Sequence, residues 1–189
     1  MLRTRNLLIG AAGVALAAGL TTTVNAGSDT RSVAAEATIV DTSGVTIGFA
    51  KFTEDGAGVV HINIKVAGLP YGLDGRHGVH IHETGSCSST GTAANERFVG
   101  AGGHYSPADG AHSNHRGDLP NLIVNESLQG RLNTTTDRVT LSGGDNTLFD
   151  NELNKVGSAI VIHANPDDFG SVLNGNSGVR IACGVIVRK

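Results

Sequence analysis

The chain has 189 residues, with 14 Lys and Arg against 17 Asp and Glu, eight histidines, 27 glycines and no tryptophan. The net charge is −3 and no Lys/Arg-rich run occurs, which argues against nucleic acid as a partner. The one long apolar run lies within the first 26 residues and is too short for a membrane span.

Taken in chain order, the first feature is that leader. Arg3 and Arg5 form a short basic start, residues 7–20 are apolar, and Val24-Asn25-Ala26 ends the segment with small-residue cleavage chemistry. This predicts a secretory signal over 1–26, one domain over 27–189, and export to a periplasm or the extracellular space. The leader holds two of the basic residues and none of the acidic ones, so the remaining 163 residues carry −5 with histidine neutral. That length suffices for a single hydrophobic core. Residues 27–32 read as a flexible lead-in.

The rest alternates rather than repeating at helical spacing. Strands are expected at 46–52 and 60–66, joined by an Asp55-Gly56-Ala57-Gly58 turn as a hairpin. Further strands are expected at 79–82, 122–124, 130–132, 138–141, 159–164 and 179–187. Short strands between Gly and Asp turns predict an antiparallel sandwich or barrel. Residues 88–120 form a long segment rich in Gly, Ser, Ala and Asn, and an irregular stretch of that length is functional or disordered. Cys87 and Cys183 are the only cysteines. In an exported chain they read as one disulfide, against the alternative of two buried thiols. Closing so long a loop is worth about 4–5 kcal/mol.

Six histidines carry the chemistry. His80 and His82 stand at i and i+2, which places both rings on one face of a strand. His104, His112, His115 and Asp118 share a glycine-rich loop and offer the nitrogen and oxygen donors that suit four-coordinate zinc. His163 ends an apolar strand. Of the other two, His77 reads as structural and His61 as a surface residue of an alternating strand.

Five blocks then occur in one order. They are Gly78-Val79-His80-Ile81-His82-Glu83, Gly103-His104-Tyr105-Ser106-Pro107, Gly117-Asp118-Leu119-Pro120, His163-Ala164-Asn165-Pro166-Asp167-Asp168, and the run from Gly175 through Arg180 and Cys183 to Ile186. Together they resemble the copper–zinc superoxide dismutase family over residues 33–189. The resemblance implies an all-β, eight-stranded antiparallel Greek-key barrel or sandwich of immunoglobulin-like architecture with long metal-binding loops. It implies copper at His80, His82, His104 and His163, and zinc at His104, His112, His115 and Asp118. His104 would bridge the two metals through both ring nitrogens. Asp167 would hydrogen-bond one histidine of each set, and Arg180 would attract and orient the anion. Cys87 and Cys183 fall where the family has its disulfide. The implied reaction converts superoxide to oxygen and hydrogen peroxide by Cu(II)/Cu(I) cycling, with His104 carrying a proton. The superoxide anion is then the reacting partner, no organic cofactor or membrane is needed, and a homodimer stays open.

Three departures stand out. Only Ser113 and Asn114 separate His112 from His115, fewer than the family usually has. Residues 88–103 are longer than in animal members. Only residues 169–174 lie between Asp168 and Gly175, with no Lys, Arg or Glu among them. A longer charged loop commonly steers the anion there, so a more open copper site and a weak salt dependence are expected. The competing readings are a copper-only dismutase, a copper-binding or copper-delivery domain on the same fold, and an adhesion module using Arg116-Gly117-Asp118. Asn125-Glu126-Ser127 and Asn133-Thr134-Thr135 are potential glycan acceptors in a eukaryotic route.

Overall fold

A computed structural model describes residues 32–69, 73–106, 112, 114–149, 157–171 and 174–189, and the expected leader lies outside them. The strands are β1 (Val33–Asp41), β2 (Thr46–Glu54), β3 (Val60–Ala67), β4 (Gly75–His82), β5 (Asp118–Val124), β6 (Gln129–Thr136), β7 (Ala159–His163), β8 (Arg180–Val185) and β9 (Val187–Arg188). They pair in the order β2-β3-β6-β5-β4-β7-β8-β1, and β1 pairs back onto β2, so eight strands close a barrel. All pairings are antiparallel. Past Ile186 the last strand resumes as β9, a two-residue extension along β1. The β3–β4 and β6–β7 connections cross the barrel ends past two strands each, which is the Greek-key arrangement.

Period-2 patterning builds the wall. Ala50, Phe52, Ile62 and Ile64 point inward and are buried, while Lys51, Thr53, His61 and Lys65 face solvent. The expected Asp55 turn forms. Asp55 Oδ1 accepts the N–H groups of Ala57 and Val59, and Gly58 takes φ 79°. Asn125 repeats the device with Ser127 and Gln129, where Leu128 bears the left-handed φ of 58° that glycine adopts more easily.

Two expected boundaries differ. Residues 138–141 form no strand. Val139 and Leu141 are fully buried, but the Leu141 N–H is held by a side chain, Glu54, rather than by a neighbouring strand. The eighth barrel strand is β1, where no strand was expected. Its three alanines weaken the β signal, yet Ala35, Ala37 and Ile39 pack in the core.

Strands β4 and β7 lose alternation because both of their faces are covered. Inside, Val79, Ile81, Ile160 and Ile162 join the main core. Outside, the β4–β5 loop packs Phe98 and Ala101 against Ala159, Val161 and Cys183. The Cys87–Cys183 disulfide ties that loop to β8, with Cα atoms 5.7 Å apart.

Candidate metal centre

Because Val79 and Ile81 face the core, the pleat turns His80 and His82 onto the outer wall. Strand β7 lies alongside, pairing Val161 with His80, and ends in His163. After β4 the loop folds back. Glu83 N–H donates to Gly103 O at 3.0 Å and Gly103 N–H to Glu83 Oε1 at 2.8 Å, which sets His104 opposite His82. Asp118 opens β5 directly across from His80.

One donor atom each from His80, His82, His104 and His163 lies within 4.8 Å of the others, and the same holds for His104, His112, His115 and Asp118. His104 belongs to both groups. Its ring stacks on His80 with centroids 3.9 Å apart, while its Nδ1 lies 2.8 Å from Asp118 Oδ1. The Nδ1 atoms of His112 and His115 approach Asp118 Oδ2 at 3.4 and 3.5 Å. The two expected sets therefore share one wall and meet at His104.

The outward nitrogens are held. His82 Nδ1 donates to Gly102 O and His163 Nδ1 to Gly178 O, both at 3.0 Å. Asp167 accepts from His80 Nε2 on one oxygen at 2.7 Å and from His112 Nε2 on the other at 2.9 Å. Burial pushes the Asp167 carboxyl up, but these bonds and the Phe169 N–H outweigh it and hold it well below the usual range. Burial also raises Asp118, and His104 reverses the shift to a net lowering.

The inward nitrogens fit cations. A carbonyl only accepts, so Nδ1 of His82 and of His163 carries the proton, and their Nε2 lone pairs face each other 3.5 Å apart. No second proton relieves them near neutral pH. Burial drives His163 down to about 3, helped by His80, and drives His82 well below its ordinary value, helped by Arg180. Burial likewise takes His80 to about 4. Meanwhile Nδ1 of His80, His112 and His115 is buried without a hydrogen-bond partner among the described residues. Oriented imidazoles with unused lone pairs are what metal ligation requires. Four imidazoles suit Cu(II), and three imidazoles with one carboxylate suit Zn(II).

A family model for copper/zinc superoxide dismutase (SODC) matches residues 46–186. The chain belongs to the copper/zinc superoxide dismutase family. It is 36% identical over 181 residues to Superoxide dismutase (Cu-Zn) of Deinococcus radiodurans, covering 90% of this chain and 92% of that one. It is also 36% identical over 166 residues to Superoxide dismutase (Cu-Zn) 2 of Aquifex aeolicus, covering 84% and 90%. Among solved structures, a SOD-like protein from Bacillus subtilis aligns with TM-score 0.67 at 31% identity, over 80% of this chain and 97% of that one.

Within this superoxide dismutase framework, Arg180 begins β8 opposite His163. Its Nη1 donates to Phe98 O at 2.6 Å and its Nη2 to Gly102 O at 2.5 Å. Gly102 O thus serves both Arg180 and His82. His77 is buried as expected, its two nitrogens against Leu73 O and His163 O. His61 is exposed beside Asp55. The Arg116-Gly117-Asp118 tripeptide presents no free acid, since Asp118 is 5% exposed and engaged with the histidines.

Sequence reasoning missed several supports. Asn121 clamps Asp167, donating from Nδ2 to Asp167 O and accepting the Asp167 N–H on Oδ1. Gly175 has φ 59°, and a Cβ there would sit 2.0 Å from Asp167 Oδ1 and 2.4 Å from His112 Nε2. The asparagine just after Pro120 was the available signal for the first, because it interrupts an apolar strand. The carbonyls of Gly102 and Gly178 carry no residue-type signal at all.

Proposed function

We propose that this chain is an exported superoxide dismutase. His80, His82, His104 and His163 hold copper, and His104, His112, His115 and Asp118 hold zinc. The observation that carries the reading is the shared position of His104, whose ring stacks on His80 of one donor set while its Nδ1 meets Asp118 of the other. When bound, copper supplies one-electron cycling between Cu(II) and Cu(I), and zinc supplies a second cation of fixed valence.

The chain's own residues supply charge and protons. Arg180 has five N–H donors and spends two on Phe98 and Gly102, so the remaining donors can draw in and orient an anion. Two superoxide anions become one oxygen and one hydrogen peroxide, which consumes two protons. His104 Nε2 holds one of them in one half of the cycle and delivers it in the other, and water supplies the second. His104 Nδ1 faces Asp118 on the zinc side, where bound zinc would hold the ring in place while Nε2 gains and loses its proton.

The test is superoxide decay by pulse radiolysis, on protein loaded with both metals and freed of loose copper by a chelator. A rate per bound copper of about 10⁸–10⁹ M⁻¹s⁻¹ is expected, the diffusional range for which this enzyme family is a standard example. A rate no faster than that of His82→Ala would sink the reading and leave copper storage or delivery. One dialysis-resistant zinc per chain would exclude the copper-only version.

A further inference from the structure

The zinc-side donors sit on a loop too short to fix itself, with only two residues between His112 and His115. A second loop braces them. Residues 137–149, after β6, plug the barrel end with Val139, Leu141 and Leu148, all fully buried. Three hydrogen bonds run from this plug to the zinc side. Arg138 Nη2 donates to Asp118 O at 2.5 Å. Arg116 Nη1, next to His115 in the chain, donates to Arg138 O at 3.3 Å. Tyr105 Oη, next to His104, donates to Thr147 O at 2.8 Å.

The plug is itself held by one carboxylate from across the barrel mouth. Glu54 ends β2 and is 6% exposed. Its Oε2 accepts the N–H groups of Leu141 and Ser142, both at 2.6 Å, and its Oε1 accepts Ser142 Oγ at 2.8 Å. Glu54 makes no ion pair among the described residues. A carboxylate is taken out of water at a cost, which these three donors offset. No neighbouring strand does this work among the described residues, where 138–141 makes only a single Thr140–Thr147 bridge.

We infer that Glu54 is a positioning residue for the zinc half of the site. It sets the 137–149 plug, and the plug, through Arg138, Arg116 and Tyr105, holds Asp118, His115 and His104 in register. This rests on reading the second donor set as a zinc site. A Glu54→Leu variant leaves the N–H of buried Leu141 without an acceptor and removes the acceptor of the Ser142 N–H and Oγ. A Glu54→Gln variant keeps one oxygen for both, with its amide turned toward Ser142 Oγ, which can accept.

The experiment measures zinc release from the metal-loaded protein to a chromophoric chelator, beside the melting temperature. Glu54→Leu should release zinc about tenfold faster than the wild type, the lower end of what losing an outer support costs. Glu54→Gln should restore the slow rate. Val66→Ala, a core truncation at the other end of β3, where it pairs with Gly48 and Gly130, is the control for lost stability and should release zinc near the wild-type rate. A wild-type release rate in Glu54→Leu, or equal acceleration in Val66→Ala, overturns the inference. If Glu54→Leu does not fold, Arg138→Ala decides, because it removes only the bond to Asp118 O. Faster release supports the route and an unchanged rate overturns it. Wild-type protein that holds no zinc would instead sink the zinc reading and this inference with it, and that is seen before any variant is compared.

Discussion

At the scale of single residues, Asp167 has the widest reach. Its two oxygens orient one histidine from each donor set, and Asn121 locks its backbone. An Asp167→Asn variant turns one oxygen into a donor, which must then face an imidazole N–H. Either His80 or His112 loses its partner, so copper or zinc affinity should fall about 10–100-fold, measured by chelator competition. Unchanged affinity for both metals would show the rings to be held by packing alone. The side chains that touch this site were legible because spacing or motif points at them: His80 and His82 by strand period, the loop histidines by clustering. Their supports were less so. Gly102 O and Gly178 O act through the backbone, and Glu54 and Arg138 act through a loop whose path no local pattern reveals.

Among the elements, loops decide how an anion reaches the copper side. The short segment after Asp167 spends its one further acid on itself. Asp168 accepts from Gly170 N–H and from Ser171 N–H and Oγ. Phe169, 44% exposed, presents an apolar ring there. Residues 169–174 hold no Lys, Arg or Glu, so on the proposed reading long-range steering would fall largely to Arg180. The rate should fall no more than about twofold between ionic strengths of about 0.01 and 0.15 M, although the Debye length shrinks from about 30 to 8 Å. A tenfold fall in stopped-flow or pulse-radiolysis data would mean that other charges steer. The elements themselves were read unevenly, for physical reasons. Strands β2 and β3 have one wet face and alternate cleanly. Strand β1 is alanine-rich and was passed over, while 138–141 alternates without pairing because Val139 and Leu141 plug a barrel end.

For the whole molecule, the site is carried as a stored cost of folding. The barrel could be inferred from turn spacing and family motifs, but not that its outer wall at β4 and β7 is dry, because the covering loop and the Cys87–Cys183 tie act over 96 residues of separation. That dry wall keeps His80, His82 and His163 neutral. Burial lowers all three below their ordinary value of 6.5, His80 to about 4 and His163 to about 3. The unfolded chain therefore binds more protons than the folded one across this interval, and stability must fall as pH falls. Their contribution is complete above about pH 6.5 and is lost progressively toward about pH 3–4, on the order of 1 kcal/mol per pH unit per histidine. Asp118 and Asp167, lowered from 3.8, add a loss of the same sign at still lower pH. Metal-free protein with its disulfide intact should thus show a melting temperature that drops steadily from about pH 7 to 4. Loading with copper and zinc should raise the whole curve and flatten its upper part, since ligation stabilises only the folded state and competes with protons for the same nitrogens. A metal-free melting temperature that stays level from about pH 7 to 5 would mean that the outer wall is wet in solution and that the histidines titrate there as they do in the unfolded chain.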